Sequence, residues 1–302
     1  MMKNVLVLMA TYNGDDYLEE QLTSLINQKD VNVSVLVRDD GSDDKTVDIL
    51  KEWEKTYNIK WFVDNKHLGA GFGFLYLMKE AEKYNNIDYF AFCDQDDVWN
   101  DDKLKIACSF LEEIPDSVPG LYYCGQIIAD KDLNLISVHR LNEDRNWFAR
   151  FIFSDIAGCT TVFNKGLLKT INMYTPHYLL MHDTWMLKVC LATGGQVKVD
   201  SEAHIKYRQH GKNTVGLNNS LRNRLSRAKK YVFDYDVEKQ VIELQKGYAD
   251  KIIPLYQELV EWIMEYKKNR CYRKKLIDKK NVDFCDKKIY ILFRIKILLH
   301  KL

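Results

Sequence analysis

The chain has 302 residues, enough to bury a large core as one α/β domain with an appendage or as two domains. Hydrophobic residues at 46% and charged residues at 29% describe a globular chain, and four prolines with no Ser/Gly-rich tract leave no disordered linker. The net charge of +1 hides a division: residues 1–215 hold 23 basic and 32 acidic side chains, whereas residues 216–302 hold 21 and 11. A basic tail on an acidic body suggests that the tail meets an anionic surface, and no nucleic-acid partner is expected.

Val5 to Met9 is a continuous apolar run of the kind found in parallel sheets, and at five residues followed by a polar turn it reads as a strand, not a signal peptide. The turn, Ala10-Thr-Tyr-Asn-Gly14, permits tight geometry, and Asp15 and Asp16 are placed to cap a helix carrying Leu18, Leu22, Leu25 and Ile26 on one face. A second strand, Val31 to Val37, ends in Arg38-Asp-Asp-Gly-Ser-Asp-Asp44 before another helix. Ile59 to Val63 make a third strand, and a helix follows through about Tyr84. Gly69, Gly71 and Gly73 at its start do not have the spacing or position of a dinucleotide fingerprint.

Tyr89 to Cys93 form a fourth strand, expected to be buried on both faces, and three carboxylates follow at once: Asp94, Asp96 and Asp97. Charges crowded at the mouth of a buried strand stay ionised only if a cation or a set of donors receives them. In an open α/β sheet the carboxyl ends of the strands are where ligands bind. The natural reading is a divalent metal held by Asp-x-Asp with a phosphate-bearing substrate beyond it. The plainer one is an acidic turn leading into the helix start Asn100-Asp-Asp-Lys.

After Pro119 come a strand over Leu121 to Ile128, a hairpin turn at Asp130-Lys-Asp-Leu-Asn134, and a stretch over 139–155 without clear period. Gly158 to Asn164 reads as a strand lining something, and Leu167 to Met173 as a short helix. His182-Asp-Thr-Trp185 opens an apolar helix reaching about Ala192, where Asp183 is either a simple cap or a carboxylate at a pocket wall, its pKa tuned by burial. Val197 to Asp200 and Ala203 to Tyr207 read as edge strands ending in Tyr207-Arg-Gln-His210. Residues 221–270 read as long helices broken or kinked at Pro254. A basic run, Lys267 to Lys280, and an apolar stretch with scattered cations from Ile289 close the chain; that last stretch can dock on the body, on a second copy in a homodimer, or on a bilayer surface.

Seven cysteines, widely spaced, odd in number and without a C-x-x-C pair, argue against a disulfide framework or a zinc site. No stretch approaches a membrane span. The expected location is cytoplasmic, peripheral at the inner face of the cell membrane.

Taken together, Ala10-Thr-Tyr-Asn-Gly14, Arg38-Asp-Asp-Gly-Ser42, Cys93-Asp-Gln-Asp-Asp-Val-Trp99, Gly158-Cys-Thr, His182-Asp183 and Tyr207-Arg-Gln-His210 with Asn213 resemble an inverting family-two glycosyltransferase of the GT-A fold. The similarity is greatest to the bacterial rhamnosyltransferase-like branch of surface-polysaccharide assembly. It implies an α/β glycosyltransferase domain over 1–215, with a nucleotide-binding half (1–110) and an acceptor half (111–215), and a basic helical region over 216–302. It implies that Thr11, Tyr12 and Asn13 line the nucleoside pocket, that Asp39 or Asp40 accepts the imide N–H of uracil or thymine, and that Asp94 faces the ribose. Asp96 would bind Mg²⁺ or Mn²⁺, with His210 either a further metal or diphosphate contact or a structural histidine. Asp183 matches the catalytic base, and the residue before it, more often acidic, is here His182. Trp99, His182 and Asp97 are candidates for sugar or acceptor contact.

The implied donor is a UDP- or dTDP-sugar, with rhamnose favoured, and the implied acceptor a saccharide; an acceptor carried on a lipid would account for the basic tail. Two rivals remain: an aspartate-nucleophile phosphatase using Asp94 and Asp96, which leaves the turn at Asp39 and Asp40 without a task, and a non-catalytic assembly subunit.

Overall fold

The computed structural model describes residues 2–64, 66–211 and 235–302. Asn213 and the expected boundary at 215/216 lie outside the described residues. Nine strands form one mixed sheet: β1 (Lys3–Thr11), β2 (Val31–Asp39), β3 (Ile59–Val63), β4 (Tyr89–Cys93), β5 (Val98–Trp99), β6 (Gly120–Ala129), β7 (Leu135–His139), β8 (Val162–Asn164) and β9 (Gln196–Arg208). Their order is β3-β2-β1-β4-β8-β6-β9-β5, with β7 paired to β6. The first four are parallel, β8 runs antiparallel to both β4 and β6, and β9 is parallel to β6.

Alternation along β1 explains its unbroken apolar run. Val5, Val7 and Met9 face a cluster with Leu18, Leu22 and Leu25 of α1 (Leu18–Ile26) and Leu104 of α4 (Lys103–Leu111). Leu6 and Leu8 face another with Phe74 and Leu77 of α3 (Gly69–Ala81) and Trp185 of α7 (His182–Ala192). A parallel strand covered by helices on both sides needs apolar residues at every position. The carboxyl ends of β1, β2 and β4 therefore emerge together at one rim of the sheet.

The structure amends several expectations. No side chain caps α1; Asp15 instead accepts from the backbone N–H of Lys45, ahead of α2 (Thr46–Glu54). The two supposed edge strands are one thirteen-residue strand, β9, lying between β6 and β5, with its register shifting near Asp200 to Ala203. The stretch without period contains α5 (Trp147–Ile152), capped by Asn146. Pro254 opens a helix instead of kinking one.

After α6 (Lys165–Asn172) and α7, the tail provides α8 (Val237–Tyr248), α9 (Pro254–Glu265), α10 (Arg270–Ile277) and α11 (Lys287–Leu298). Val241, Leu244, Tyr248, Leu259, Ile263, Phe293 and Ile297 are buried in the cluster that holds Trp185, so these helices pack on the body of their own chain. At roughly 1.5–3 kcal/mol per large apolar side chain, that burial is enough to hold them there.

Candidate active site

The three loops at the sheet rim are tied to one another. Asp39 is fully buried and accepts four hydrogen bonds: from the backbone N–H groups of Gly41 (3.1 Å) and Ser42 (2.8 Å), and from the hydroxyls of Thr11 (2.8 Å) and Ser42 (2.6 Å). Its oxygens are saturated, and Asp40 beside it is half-buried and ion-paired with Arg38 at 2.6 Å. Arg38 also reaches the carbonyl of Lys66 at 2.9 Å. Asn13, at φ 47°, donates its backbone N–H to the Ser42 hydroxyl and accepts at its side chain from the N–H of Asp43. Tyr12 presents a half-exposed ring against the edge of His67.

Gln95, within the acidic motif but given no task by the sequence reading, closes the lacing. Its side chain accepts from the Tyr12 N–H at 2.8 Å and donates to the Tyr12 carbonyl at 3.0 Å. A Cβ at position 14 would come 2.3 Å from the Gln95 oxygen, which is why glycine stands there.

Behind this lies the acidic group. One ligating atom each of Asp94, Asp97 and Cys159 lies within 4.8 Å of the others. Asp97 is fully buried; one oxygen accepts the backbone N–H of Arg208 at 3.1 Å and the other has no partner. Asp96 lies beside it, its carboxylate 2.7 Å from Nε2 of His210. The end of β9 holds this pair in place: the Arg208 guanidinium donates to the Asp96 carbonyl at 2.8 Å and covers the Tyr17 ring at 4.5 Å, while His210 packs on the same ring at 4.9 Å. Burial, followed by the charges of Asp96 and Asp183, pushes the Asp94 carboxyl up to about 7. Burial and the charges of Asp96 and Asp94 likewise hold Asp97 well above the usual carboxylate range. Crowded acids with an orphaned buried oxygen and an adjacent imidazole are a donor set that fits a divalent cation.

The opposite wall is the first turn of α7. Asp183 is buried and accepts the N–H of Thr184 at 2.6 Å. Burial pushes its carboxyl up to about 6 against the pull of the Thr184 and Gly158 N–H groups. Asp183 lies in the first turn of α7, whose N-cap is Met181, so it is not the helix cap. Lys188, fully buried, is brought down by burial to about 7 and donates to the Phe151 carbonyl. His182 sits between Phe74 (4.1 Å between ring centres) and Phe92 (4.7 Å), with no partner at either ring nitrogen. Burial brings it down to about 3, so it is neutral. A Cβ at position 158 would stand 2.5 Å from its Nε2, so Gly158 makes room for the ring. Gly158 against His182, and Cys159 beside Asp94 and Asp97, place the first turn of α7 next to the acidic group, and the Asp183 charge helps to raise Asp94.

Residues 6–171 match the family described as Glycosyl transferase family 2. The chain belongs to that family. It is 34% identical to the dTDP-rhamnosyl transferase RfbG of Shigella flexneri over 229 residues, covering 72% of this chain and 77% of the relative. In structure it is similar to S. aureus TarS 1–349, solved with UDP-GlcNAc (TM-score 0.60, 19% identity, 90% of this chain and 76% of that one). It is also similar to the mannosyltransferase PcManGT of Pyrobaculum calidifontis, solved with GDP-Man and Mn²⁺ (TM-score 0.56, 16% identity, 99% and 88%). The fold is GT-A and the protein is a glycosyltransferase, which sets aside the phosphatase and assembly-subunit readings.

Within this glycosyltransferase two expected contacts move. Trp99 is in the apolar core, its backbone N–H donated to the Ser24 hydroxyl and its ring covered by Lys103, so it is packed away from any sugar. Asp97 is equally deep, among acids, and turned to the backbone of β9. His182 does stand at the α7 wall. Besides Gln95, sequence reasoning missed Cys159 and Lys188. Cys159 had a signal in the stretch Gly158 to Asn164, read as lining something, whereas Lys188 had none beyond being a lysine in an apolar helix.

Among the described residues no helix is long and apolar enough to cross a membrane.

Proposed function

We propose that this glycosyltransferase transfers a sugar with inversion from a UDP- or dTDP-sugar, rhamnose favoured, to a lipid-borne saccharide in capsule, O-antigen or cell-wall polysaccharide assembly on the cytoplasmic side of the membrane. The observation that carries the reading is the Asp183 carboxyl. It is buried in the first turn of α7, brought up to about 6, and lies near enough to the acidic group for its charge to raise Asp94. A base with that pKa is ionised at neutral pH and still basic enough to take a proton. The resemblance to RfbG supports the thymidine donor.

In this reading Thr11, Tyr12 and Asn13 line the nucleoside pocket, Asp40 accepts the imide N–H of the base and Asp94 meets the ribose. Asp96 and His210 hold Mg²⁺ or Mn²⁺. When bound, that ion supplies Lewis-acid neutralisation of the leaving diphosphate, worth several kcal/mol. Asp183 takes the proton of the acceptor hydroxyl as its oxygen bonds to the anomeric carbon and the bond from that carbon to the diphosphate breaks. A single displacement inverts the anomeric centre. His182, neutral and buried between two phenylalanines, backs the first turn of α7 that carries Asp183.

The test is a thermal-shift panel of UDP, dTDP, GDP and their sugars with and without Mn²⁺. A ligand at a hundredfold excess over Kd adds about 2.7 kcal/mol, a shift of several degrees. Uridine and thymidine diphosphates are expected to raise Tm in the presence of Mn²⁺ and GDP to leave it unchanged. No shift with either, or a preference for GDP, overturns the assignment.

A further inference from the structure

Helix α11 breaks the usual rule for a helix packed on a protein body, which is apolar inward and polar outward. Its inward face buries Phe293 and Ile297 in the core, with Lys296 beside them donating to the Tyr235 carbonyl. Its outward face carries Ile291, Ile295 and Leu298, exposed by 48, 39 and 68%, at i, i+4 and i+7 on a single stripe. Lys287, Lys288 and Arg294 flank the stripe, all exposed. Some exposed lysines on other helices have carboxylate partners, as in Lys51 with Asp48, Lys246 with Glu243 and Lys275 with Glu258. The three on α11 have none among the described residues, and positions 287–302 contain no acidic residue at all.

We propose that this face of α11 docks the enzyme on an anionic lipid bilayer. Ile291, Ile295 and Leu298 enter the boundary between headgroups and acyl chains, and Lys287, Lys288 and Arg294 meet the lipid phosphates. An apolar stripe between cations is what an in-plane interfacial helix requires. A twofold contact with a second copy would set the same cations against each other, and a head-to-tail contact with the acidic body would supply charge but leave the chain of contacts open. The tail is fixed to the body by buried side chains, so docking α11 positions the whole catalytic domain at the surface. The inference deepens the proposed lipid-borne acceptor but draws nothing from the donor site.

The test is flotation of the full chain with vesicles of phosphatidylcholine alone and with added phosphatidylglycerol. Each surface cation contributes roughly fivefold in partitioning to an anionic membrane. Floating with anionic vesicles and remaining behind with neutral ones is the expected result. K287E/K288E/R294E should weaken anionic binding on the order of a hundredfold. I295D/L298D should abolish it, with the melting curve and sugar-nucleotide hydrolysis of both variants unchanged. Equal flotation of the variants, equal binding to neutral vesicles, or no vesicle binding at all would overturn the proposal. So would a dimer in sedimentation that I295D/L298D dissociates without any vesicle binding. Intact hydrolysis without flotation removes the docking alone, whereas flotation without UDP or dTDP binding removes the proposed donor alone.

Discussion

The turns after β1 and β2, laced together by Gln95, and the first turn of α7 are built on opposite terms. In the loops the polar atoms are consumed: Asp39 takes four donors, Asn13 bonds at backbone and side chain, and Gln95 holds both polar groups of the Tyr12 backbone. At α7 the groups are buried and short of partners. His182 has two unpaired nitrogens, and Asp183 and Lys188 are both moved by burial from their ordinary ionisation ranges. Saturated loops have their shape before a ligand arrives, which suits an invariant nucleotide. Under-satisfied groups hold shifted pKa values and unused hydrogen-bonding capacity, which suits proton transfer and a substrate that completes the site.

The contrast is sharpest at Asp183. Replacing it with Asn keeps the shape and removes the base, so transfer should fall by about 10²–10⁴-fold while calorimetric binding of the nucleotide stays the same. Because the carboxylate is the active form, the parent enzyme's rate should fall about tenfold per pH unit below about 6 and level off above it, and the Asn variant should lose that limb. Stability gives an independent sign. A carboxyl raised by burial weakens the fold once pH exceeds its unfolded value, most fully above its folded pKa. The Asn variant should therefore melt higher than the parent at pH 7.5 and not at pH 4. Undiminished turnover would remove Asp183 as base.

A second break lies between the two acidic sets. If Asp96 and His210 hold the metal, Asp96→Ala should abolish Mn²⁺-dependent nucleotide binding in calorimetry and His210→Ala should weaken it about 10–100-fold. Cys159→Ala should then leave the Mn²⁺ dependence intact. The reverse pattern would move the cation to the deeper group of Asp94, Asp97 and Cys159.

What could be read in the sequence follows the same divide. The parallel strands and their acidic turns are local signals, since a strand buried on both faces has to be apolar throughout and the carboxylates follow it directly. Asp183 was legible as a carboxylate at the head of an apolar helix. Partnerships across the chain were not: Gln95 and Tyr12 are 83 residues apart, and nothing in either stretch announces the other. Trp99 misled because an aromatic after an acidic turn looks like a sugar platform, whereas its burial is set by Ser24 and Lys103 from other elements. β9 was divided in two because Asp200 to Glu202 interrupts its apolar pattern where the register shifts. α5, at six residues, is too short to display a period.

The smallest expected effect tests the saturated side on its own terms. Gln95→Ala removes two hydrogen bonds to the Tyr12 backbone without touching a charged group or the base. A net value of about 1 kcal/mol per bond puts the loss near 2 kcal/mol, a factor of about 30. If the lacing serves to hold the nucleotide loop ready, that factor should appear in the donor KM, with kcat little changed and the pH limb still near 6. A fall in kcat at unchanged KM would mean that the loop's order is used at the transition state, and the division of labour between the two walls would no longer hold.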